Sequence, residues 1–340
     1  MNHALLLSIG SALCFGLGMV TSRVGLRQLD ARAGAAISIP SATLLFVATA
    51  PFTIEISAFH LGAALIFAAV GLFYPALVTL LTFRSNEELG PTVTSAISGT
   101  APLFAMLAAA LLLGEHVPPQ AAMAATGVAA GVALLSWQPG SANIRFSARS
   151  LLWPVAGAMV RGVAQAGAKA GLLLWGNPFA ASVIGYLVSS AAVTGSDRLR
   201  GGTRGKASRS GLLWFVLTGL INGSAMLLMY TALAIAPVST VAPVIAAYPL
   251  VTALATALFL RGEILNARII AGAVITVAAI AWLAAARPDR LRPIYSGHAL
   301  DTLLLHRDPP CAADPRRRNH FQRRQLDAAD ARLPARQASL

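Results

Sequence analysis

Long apolar segments follow one another along the first 286 residues, separated by short stretches with Pro, Gly or charge. A helix needs about 20 residues to cross a hydrocarbon core about 30 Å thick. The segments are apolar on all sides and longer than the alternating runs of about ten residues typical of membrane barrels. They predict ten transmembrane helices, near residues 3–22, 33–53, 60–83, 92–113, 119–137, 150–173, 177–195, 211–234, 240–260 and 267–286.

The composition supports a membrane location. Of the 340 residues, 56% are hydrophobic and 11% charged, and the mean hydropathy is +0.68, whereas a soluble domain has about a quarter of its residues charged. The first segment has no charged region before it, so we interpret it as a retained helix rather than a signal peptide. The expected location is the cell (inner) membrane, with multiple passes.

An internal repeat is the most informative feature of the pattern. At an offset of 146 residues, 4–26 aligns with 150–172, and Pro91 falls on Pro237. With small gaps, Pro102 pairs with Pro249, Gly114–Glu115 with Gly262–Glu263, and Trp137 with Trp282. The prediction is an all-α membrane protein with ten transmembrane helices in an inverted five-plus-five repeat. Its units are 1–138 and 146–286, followed by a disordered tail, 287–340.

The basic residues indicate that the second unit is inverted. Five helices per unit is an odd number, so the second unit must enter the membrane from the opposite side. Arg residues follow the first and third helices of the first unit, but they precede the first helix of the second unit and follow its second and fourth. All these loops then share one face, as the positive-inside rule requires. The loops place both termini outside, whereas the Arg-rich tail favours the inside, so the sequence leaves the orientation open.

The formal charge of +13 does not indicate a nucleic-acid partner. In the body of the chain, basic residues stand singly between apolar runs, which is typical of topology signals. Two cysteines, Cys14 and Cys311, provide neither a metal site nor a disulfide framework. We expect no cofactor and no metal.

Three landmarks recur in the same order in both units. Phe15-Gly16 precedes Arg23, as Arg161-Gly162 precedes Lys169; a Pro-to-Gly-Glu segment spans 102–115 and again 249–263; and Gly127 and Gly272 lie in the closing helices. Over residues 1–286 the chain resembles the EamA family of the drug/metabolite transporter superfamily. The resemblance implies alternating access of a small metabolite to a central cavity lined by helices 1, 3, 4, 6, 8 and 9. The family has an aromatic residue where Arg161 stands.

Arg161 is the most informative single residue, because an Arg inside a span costs about 2.5–3.5 kcal/mol and should face protein or water. Gln165 and Lys169 follow at i+4 and i+8, so the three side chains can line one wall. They favour a cationic site for an anionic or carboxylate-bearing substrate. The alternatives for Arg161 are that the predicted helix edge is misplaced or that the side chain pairs with helix-end carbonyls. Lys169, like Arg23, is alternatively an anchor at a helix end.

Further candidates fall into two groups. Pro102 and Pro249 inside the fourth helices can kink them or free carbonyls, and Glu115 and Glu263 at their ends are structural or take part in gating. Polar and apolar side chains expected to line the cavity are Tyr74, Tyr248, Asn222, Phe15 and Met19.

The predicted function is secondary transport of a small metabolite, with export as the expected direction. No Walker or dinucleotide loop occurs, and no cluster of catalytic side chains, so we expect no enzyme activity. A non-transporting scaffold and a membrane-embedded enzyme are the alternatives. Expected partners are the lipid bilayer and the metabolite, with proton or exchange coupling, in a monomer or weak homodimer.

Overall fold

The computed structural model describes residues 2–53, 59–136, 148–199, 208–259 and 267–285. Within these ranges the chain forms helices and no strand. Trp137, Glu263 and the tail predicted at 287–340 lie outside them. The helices are α1 (Asn2–Leu26), α2 (Ala31–Thr53), α3 (Leu61–Gly71), α4 (Val78–Ser98), α5 (Ala101–Leu113), α6 (Pro119–Ser136), α7 (Ala148–Leu174), α8 (Pro178–Leu199), α9 (Arg209–Ile235), α10 (Val238–Ile245), α11 (Tyr248–Phe259) and α12 (Ala267–Ala285), with a π-helical segment, Leu72–Leu77, between α3 and α4.

The second helix of each repeat begins in the same way. Asp30 Oδ1 accepts a hydrogen bond from Ala33 N (2.7 Å), and Asn177 Oδ1 accepts one from Ala180 N (2.9 Å). Each side chain therefore satisfies a backbone N–H that the first turn of a helix leaves without a partner. Local sequence thus fixes equivalent turns in the two halves.

Six helical stretches of the described residues are long and apolar enough to cross a membrane. α7 has 27 residues but is not one of them, since Arg161, Gln165 and Lys169 lower its mean hydropathy. The protein is a multi-pass membrane protein, while the count of ten spans stays a prediction. The six stretches are His3–Leu26, Ala31–Pro51, Leu61–Ser98, Pro178–Arg198, Arg209–Ile235 and Val238–Leu258.

The fourth span of each repeat is built from two short helices. In the first repeat, α4 passes through residues 84–91, which separate the predicted third and fourth spans, with one non-helical residue, Gly90 (φ 82°), and it ends before α5. In the second, α10 ends and α11 begins after two intervening residues. The positive φ at Gly90 is one that L side chains rarely adopt. The first repeat therefore only kinks at Gly90, and its helix breaks further along the chain, between α4 and α5.

The placement of Pro102 and Pro249 inside continuous helices is wrong. Pro102 is the second residue of α5, and Pro249 is the second residue of α11. Proline is favoured in the first turn of a helix because its missing N–H would have no intrahelical partner there. The two prolines therefore begin the second half-helices instead of kinking unbroken ones.

Helix packing repeats with the two halves exchanged. α1 packs against α9 and α11, and α7 packs in turn against α4 and α5. The equivalent helices α2 and α8 contact each other, as do α6 and α12. A contact between helices of the two repeats is therefore repeated between their equivalents with the repeats exchanged. This is expected for two units related by a pseudo-twofold axis.

Equivalent helices run antiparallel where they touch. Thr43 of α2 donates to Tyr186 O (3.1 Å), while Phe46, further along α2, meets Phe179, earlier on α8. On α6, Gly127 lies beside Ala279 of α12, and Gly131 beside Gly272. Antiparallel packing of equivalent helices is the relation that an inverted repeat predicts.

Candidate functional site

A cavity that is partly open to solvent lies between the two halves, where α1, α4, α7, α9 and α11 meet the π segment. Six of the seven residues predicted to line a cavity lie around it: Phe15, Met19, Tyr74, Arg161, Asn222 and Tyr248. The wall differs from the expected one, because α5 contributes no side chain among the described residues and α8 contributes Tyr186. Ala101 on α5 is the repeat equivalent of Tyr248, and its methyl group is too short to reach the centre.

The Arg161 guanidinium lies among aromatic rings. Its carbon Cζ is 5.8 Å from the ring centre of Phe15, 5.9 Å from that of Tyr74 and 5.6 Å from that of Tyr248. Only 8% of the residue is exposed. Each ring stabilises a desolvated cation by about 0.5–2 kcal/mol. The three rings therefore hold a charged side chain in an apolar setting.

Protein hydrogen bonds satisfy only part of this side chain. Arg161 Nη1 donates to Tyr248 Oη at 3.3 Å and Nη2 to Thr82 Oγ1 at 3.4 Å, both longer than a charge-assisted bond of about 2.8 Å. Among the described residues, Arg161 Nε has no hydrogen-bond partner, and neither has the hydroxyl of Tyr74, although both atoms are buried. Buried polar groups are normally paired. The site therefore has unused donors.

The prediction that Gln165 lines this cavity is not met. Gln165 is buried one turn beyond Arg161 and is not part of the lining. Its Nε2 lies 3.5 Å from Met229 Sδ, and its Oε1 has no partner. Residues at i and i+4 share a helix face, but α9 packs over the Gln165 end of that face.

Arg23 and Lys169 are equivalent residues of α1 and α7, and each donates to backbone carbonyls at the end of a helical segment. For Arg23 that end precedes the kink at Gly90 of α4. Arg23 Nη1 donates to Asn86 O (2.7 Å) and Glu87 O (3.1 Å) on α4, while Lys169 Nζ donates to Leu233 O (2.6 Å) and Ala236 O (3.1 Å) at the end of α9. The C-terminal carbonyls of a helix attract cations. This geometry fits the anchoring alternative for both residues, and it removes Lys169 from the cationic site.

Glu115 binds the start of α10 from the end of α5. Its Oε2 accepts from Val238 N (3.2 Å), and its Oε1 accepts from Ser239 N (2.9 Å) and Ser239 Oγ (2.5 Å). It is 4% exposed. A carboxylate at the N-terminus of a helix pairs with free N–H groups and with the helix dipole. Glu263, its repeat equivalent, lies outside the described residues.

The two glycines of the aromatic-Gly pairs are sites of close helix approach. A Cβ on Gly16 would lie 2.5 Å from Val251 Cβ and 2.9 Å from Tyr248 O. A Cβ on Gly162 would lie 2.6 Å from Phe104 Cβ and 2.8 Å from Ala101 O. Each glycine thus lets the first helix of its repeat touch the broken fourth span, α1 against α11 and α7 against α5.

Five polar residues in or beside the cavity wall were missed by sequence reasoning, among them Ser22 and Thr79 of the lining. Thr82 and Tyr186 line it, and Asn86 Nδ2 donates to Met19 O (3.1 Å) and Ser22 Oγ (2.9 Å) beside it. Tyr186 had the same signal as Tyr74, a tyrosine within an apolar span. Thr82 had none, and Asn86 fell in a stretch expected to be a loop.

Comparisons with known proteins agree with the fold. The EamA-like transporter family matches residues 2–137 and again 149–285, one match for each repeat. A solved chain, described only as a crystal structure of a protein, has 15% sequence identity and a TM-score of 0.69, and the match covers 86% of this chain and 99% of that one. No curated protein matches the chain. The structural likeness concerns the fold alone.

Proposed function

Because the chain belongs to the EamA-like transporter family, we propose that it is a secondary transporter that exports a small metabolite across the cell (inner) membrane. The observation that carries the proposal is the cavity between the two repeats, with Arg161 as its single charged lining residue among those described. A cavity between repeats, next to broken helices, is where such transporters bind their substrates.

The pseudo-twofold packing supports alternating access as the mechanism. Equivalent helices run antiparallel, and the broken fourth spans α4–α5 and α10–α11 face opposite halves. When two units are inverted copies, exchanging their conformations turns an inward opening into an outward one. The same cavity is then exposed to each side in turn.

The substrate class follows from the charge of the wall. Arg161 is a cation with unused donors, and guanidinium groups bind carboxylates through parallel N–H···O bonds. We therefore expect an anionic or carboxylate-bearing metabolite. The described lining contains no carboxylate that could carry a proton, so exchange coupling is favoured over proton coupling at this site.

Efflux from inverted vesicles tests the proposal. Vesicles that contain the protein are incubated with a metabolite panel, and accumulation is followed by mass spectrometry against vesicles without it. We expect at least one anionic metabolite to accumulate, and Arg161→Ala, at equal protein abundance, to lower its rate about tenfold or more, since one hydrogen bond to a charged group contributes about 1.5–3 kcal/mol.

The outcomes separate the alternatives. Accumulation that Arg161→Ala leaves unchanged would retain the transporter and remove the cationic site. If no metabolite moved while the membrane abundance of another protein depended on this chain, the scaffold alternative would replace transport.

A further inference from the structure

The described wall of the cavity carries one positive charge and no negative charge. Arg161 is the only ionised side chain among the described residues of the wall, and it forms no ion pair within the described part of the chain. Three of the described acidic side chains are engaged with other groups. Glu115 accepts three hydrogen bonds at α10, and Glu87 and Glu88 pair with Arg84.

Among the residues that the structure describes, no second cation lines the cavity. Lys169 and Arg23, the other basic side chains near this level, are bonded to the carbonyls of helix ends. A bound anion with one charge would therefore leave the site neutral. An anion with two charges would leave one negative charge without a partner in an apolar enclosure, which is strongly unfavourable.

The donor set matches the hydrogen-bonding chemistry of a carboxylate. A guanidinium has five N–H donors, and the two bonds that Arg161 makes are both long. Arg161 Nε and the Tyr74 hydroxyl are buried and have no partner in the described part of the chain, although the Tyr74 ring lies 5.9 Å from the guanidinium carbon. A carboxylate beside the two side chains would accept from both. The apolar part of the wall is formed by Phe15, Met19, Val78 and Met226, beside the polar side chains of Thr79 and Asn222.

We propose that the cavity binds a small monovalent carboxylate with an apolar body, and discriminates against dianions, cations and zwitterions. The inference rests on the proposed transport function, whose substrate class it narrows. A zwitterion is disfavoured because no carboxylate of the described wall is available for its ammonium group.

Thermal unfolding of the purified full chain in detergent tests the proposal. The probes are phenylacetate and propionate, their neutral amides, the dianion succinate, the zwitterion leucine and the cation choline, at matched ionic strength. Binding to the folded state raises the melting temperature in proportion to ln(1 + [L]/Kd). We expect at least one of the two monocarboxylates to bind at least tenfold more tightly than its amide and than succinate, leucine or choline.

Two variants of Thr82 with side chains of the same size distinguish the effect of charge in the cavity from the effect of side-chain shape. Thr82 Oγ1 lies 3.4 Å from Arg161 Nη2, so Thr82→Glu supplies an internal carboxylate, whereas Thr82→Gln supplies a side chain of the same size without charge. We expect Thr82→Glu to lose the monocarboxylate shift and Thr82→Gln to keep a larger part of it. Arg161→Gln should lose the shift, and Thr126→Ala, on the exposed face of α6, should retain it.

Three results would overturn the inference: amides or succinate binding as tightly as the monocarboxylates, no probe raising the melting temperature, or Thr82→Glu behaving like Thr82→Gln. The vesicle screen tells this failure apart from that of transport. Export of a neutral or cationic metabolite would contradict the monoanion site but support the transport function. If no metabolite were exported, both proposals would be contradicted.

Discussion

At the scale of single residues, the centre of the molecule departs from its own repeat. Phe15 and Arg161 are equivalent positions, and the two side chains meet, with the guanidinium 5.8 Å from the ring. An aromatic residue at both positions would give an apolar centre. The arginine gives the cavity a positive charge that its rings stabilise but that no described acid neutralises.

Tyr74→Phe should separate ligand binding from stability. The Tyr74 hydroxyl is buried and has no partner among the described residues, so its removal should leave the melting temperature unchanged or raise stability by about 1 kcal/mol. If the hydroxyl donates to the substrate, the KM for transport should rise about fivefold or more. Tyr248→Phe, which removes an acceptor of Arg161, should instead lower the melting temperature. A destabilised Tyr74→Phe with normal KM would contradict this role.

At the scale of helices, close contacts and end contacts connect the broken spans to the rest of the molecule. Gly16 lets α1 touch α11, and Gly162 lets α7 touch α5. Glu115 binds the start of α10 from the end of α5. Because a broken helix exposes backbone groups in its middle, such a span is stable only where neighbours satisfy or cover them. The glycines and Glu115 therefore have structural roles, because they connect the broken spans to neighbouring helices.

Gly162→Ala should destabilise the protein, and Gly157→Ala should not. A Cβ at position 162 would approach the α5 backbone to 2.7 Å at Ala105 N, whereas one at 157 would find Leu81 Cβ at 3.6 Å. Overpacking of this kind costs about 1–3 kcal/mol, while alanine at an open helical position is favourable by about 0.5–1 kcal/mol. Melting temperatures in detergent measure both. Equal effects would show that α7 and α5 are not in close contact.

Glu115→Gln should lower stability without changing the pH dependence of transport. The carboxylate accepts from two backbone N–H groups and a hydroxyl, and hydrogen bonds to a charged group contribute about 1.5–3 kcal/mol each. Ser239→Ala, which removes only the hydroxyl, should cost less. A Glu115→Gln variant of normal stability that transports independently of pH would assign proton coupling to this residue instead.

At the scale of the whole molecule, the pseudo-twofold relation determines which helices enclose the cavity. The first helix of each repeat packs on the third and fourth spans of the other repeat. The central wall is thus shared between the units, so neither repeat alone contains the cavity.

Cysteine labelling at equivalent turns tests the inversion. Arg27 and Gly176 are exposed residues of the turn between the first and second helices of their repeats. In a background with Cys14→Ser and Cys311→Ser, Arg27→Cys and Gly176→Cys should react with an impermeant maleimide from opposite sides of the membrane, because inverted units present equivalent turns to opposite sides. Labelling of both from one side would mean parallel units.

The sequence by itself determined the helical membrane class, the two repeats and the family, because apolar length and recurring Pro, Gly and Glu landmarks are local properties of the chain. It also identified Arg161, since an arginine within an apolar span needs a polar partner or water. Five cavity residues followed from polar or aromatic side chains in predicted spans, and Met19 was the sixth residue predicted there.

Only the tertiary structure decided which of these side chains meet. Gln165 shares a helix face with Arg161 but is covered by α9, and Lys169 reaches carbonyls of that same helix. The breaks after α4 and α10, the replacement of α5 by α8 in the wall, and the roles of Thr82 and Asn86 depend on packing between segments distant in sequence. No local pattern contains that information, because a side chain's partner is set by the approach of another helix.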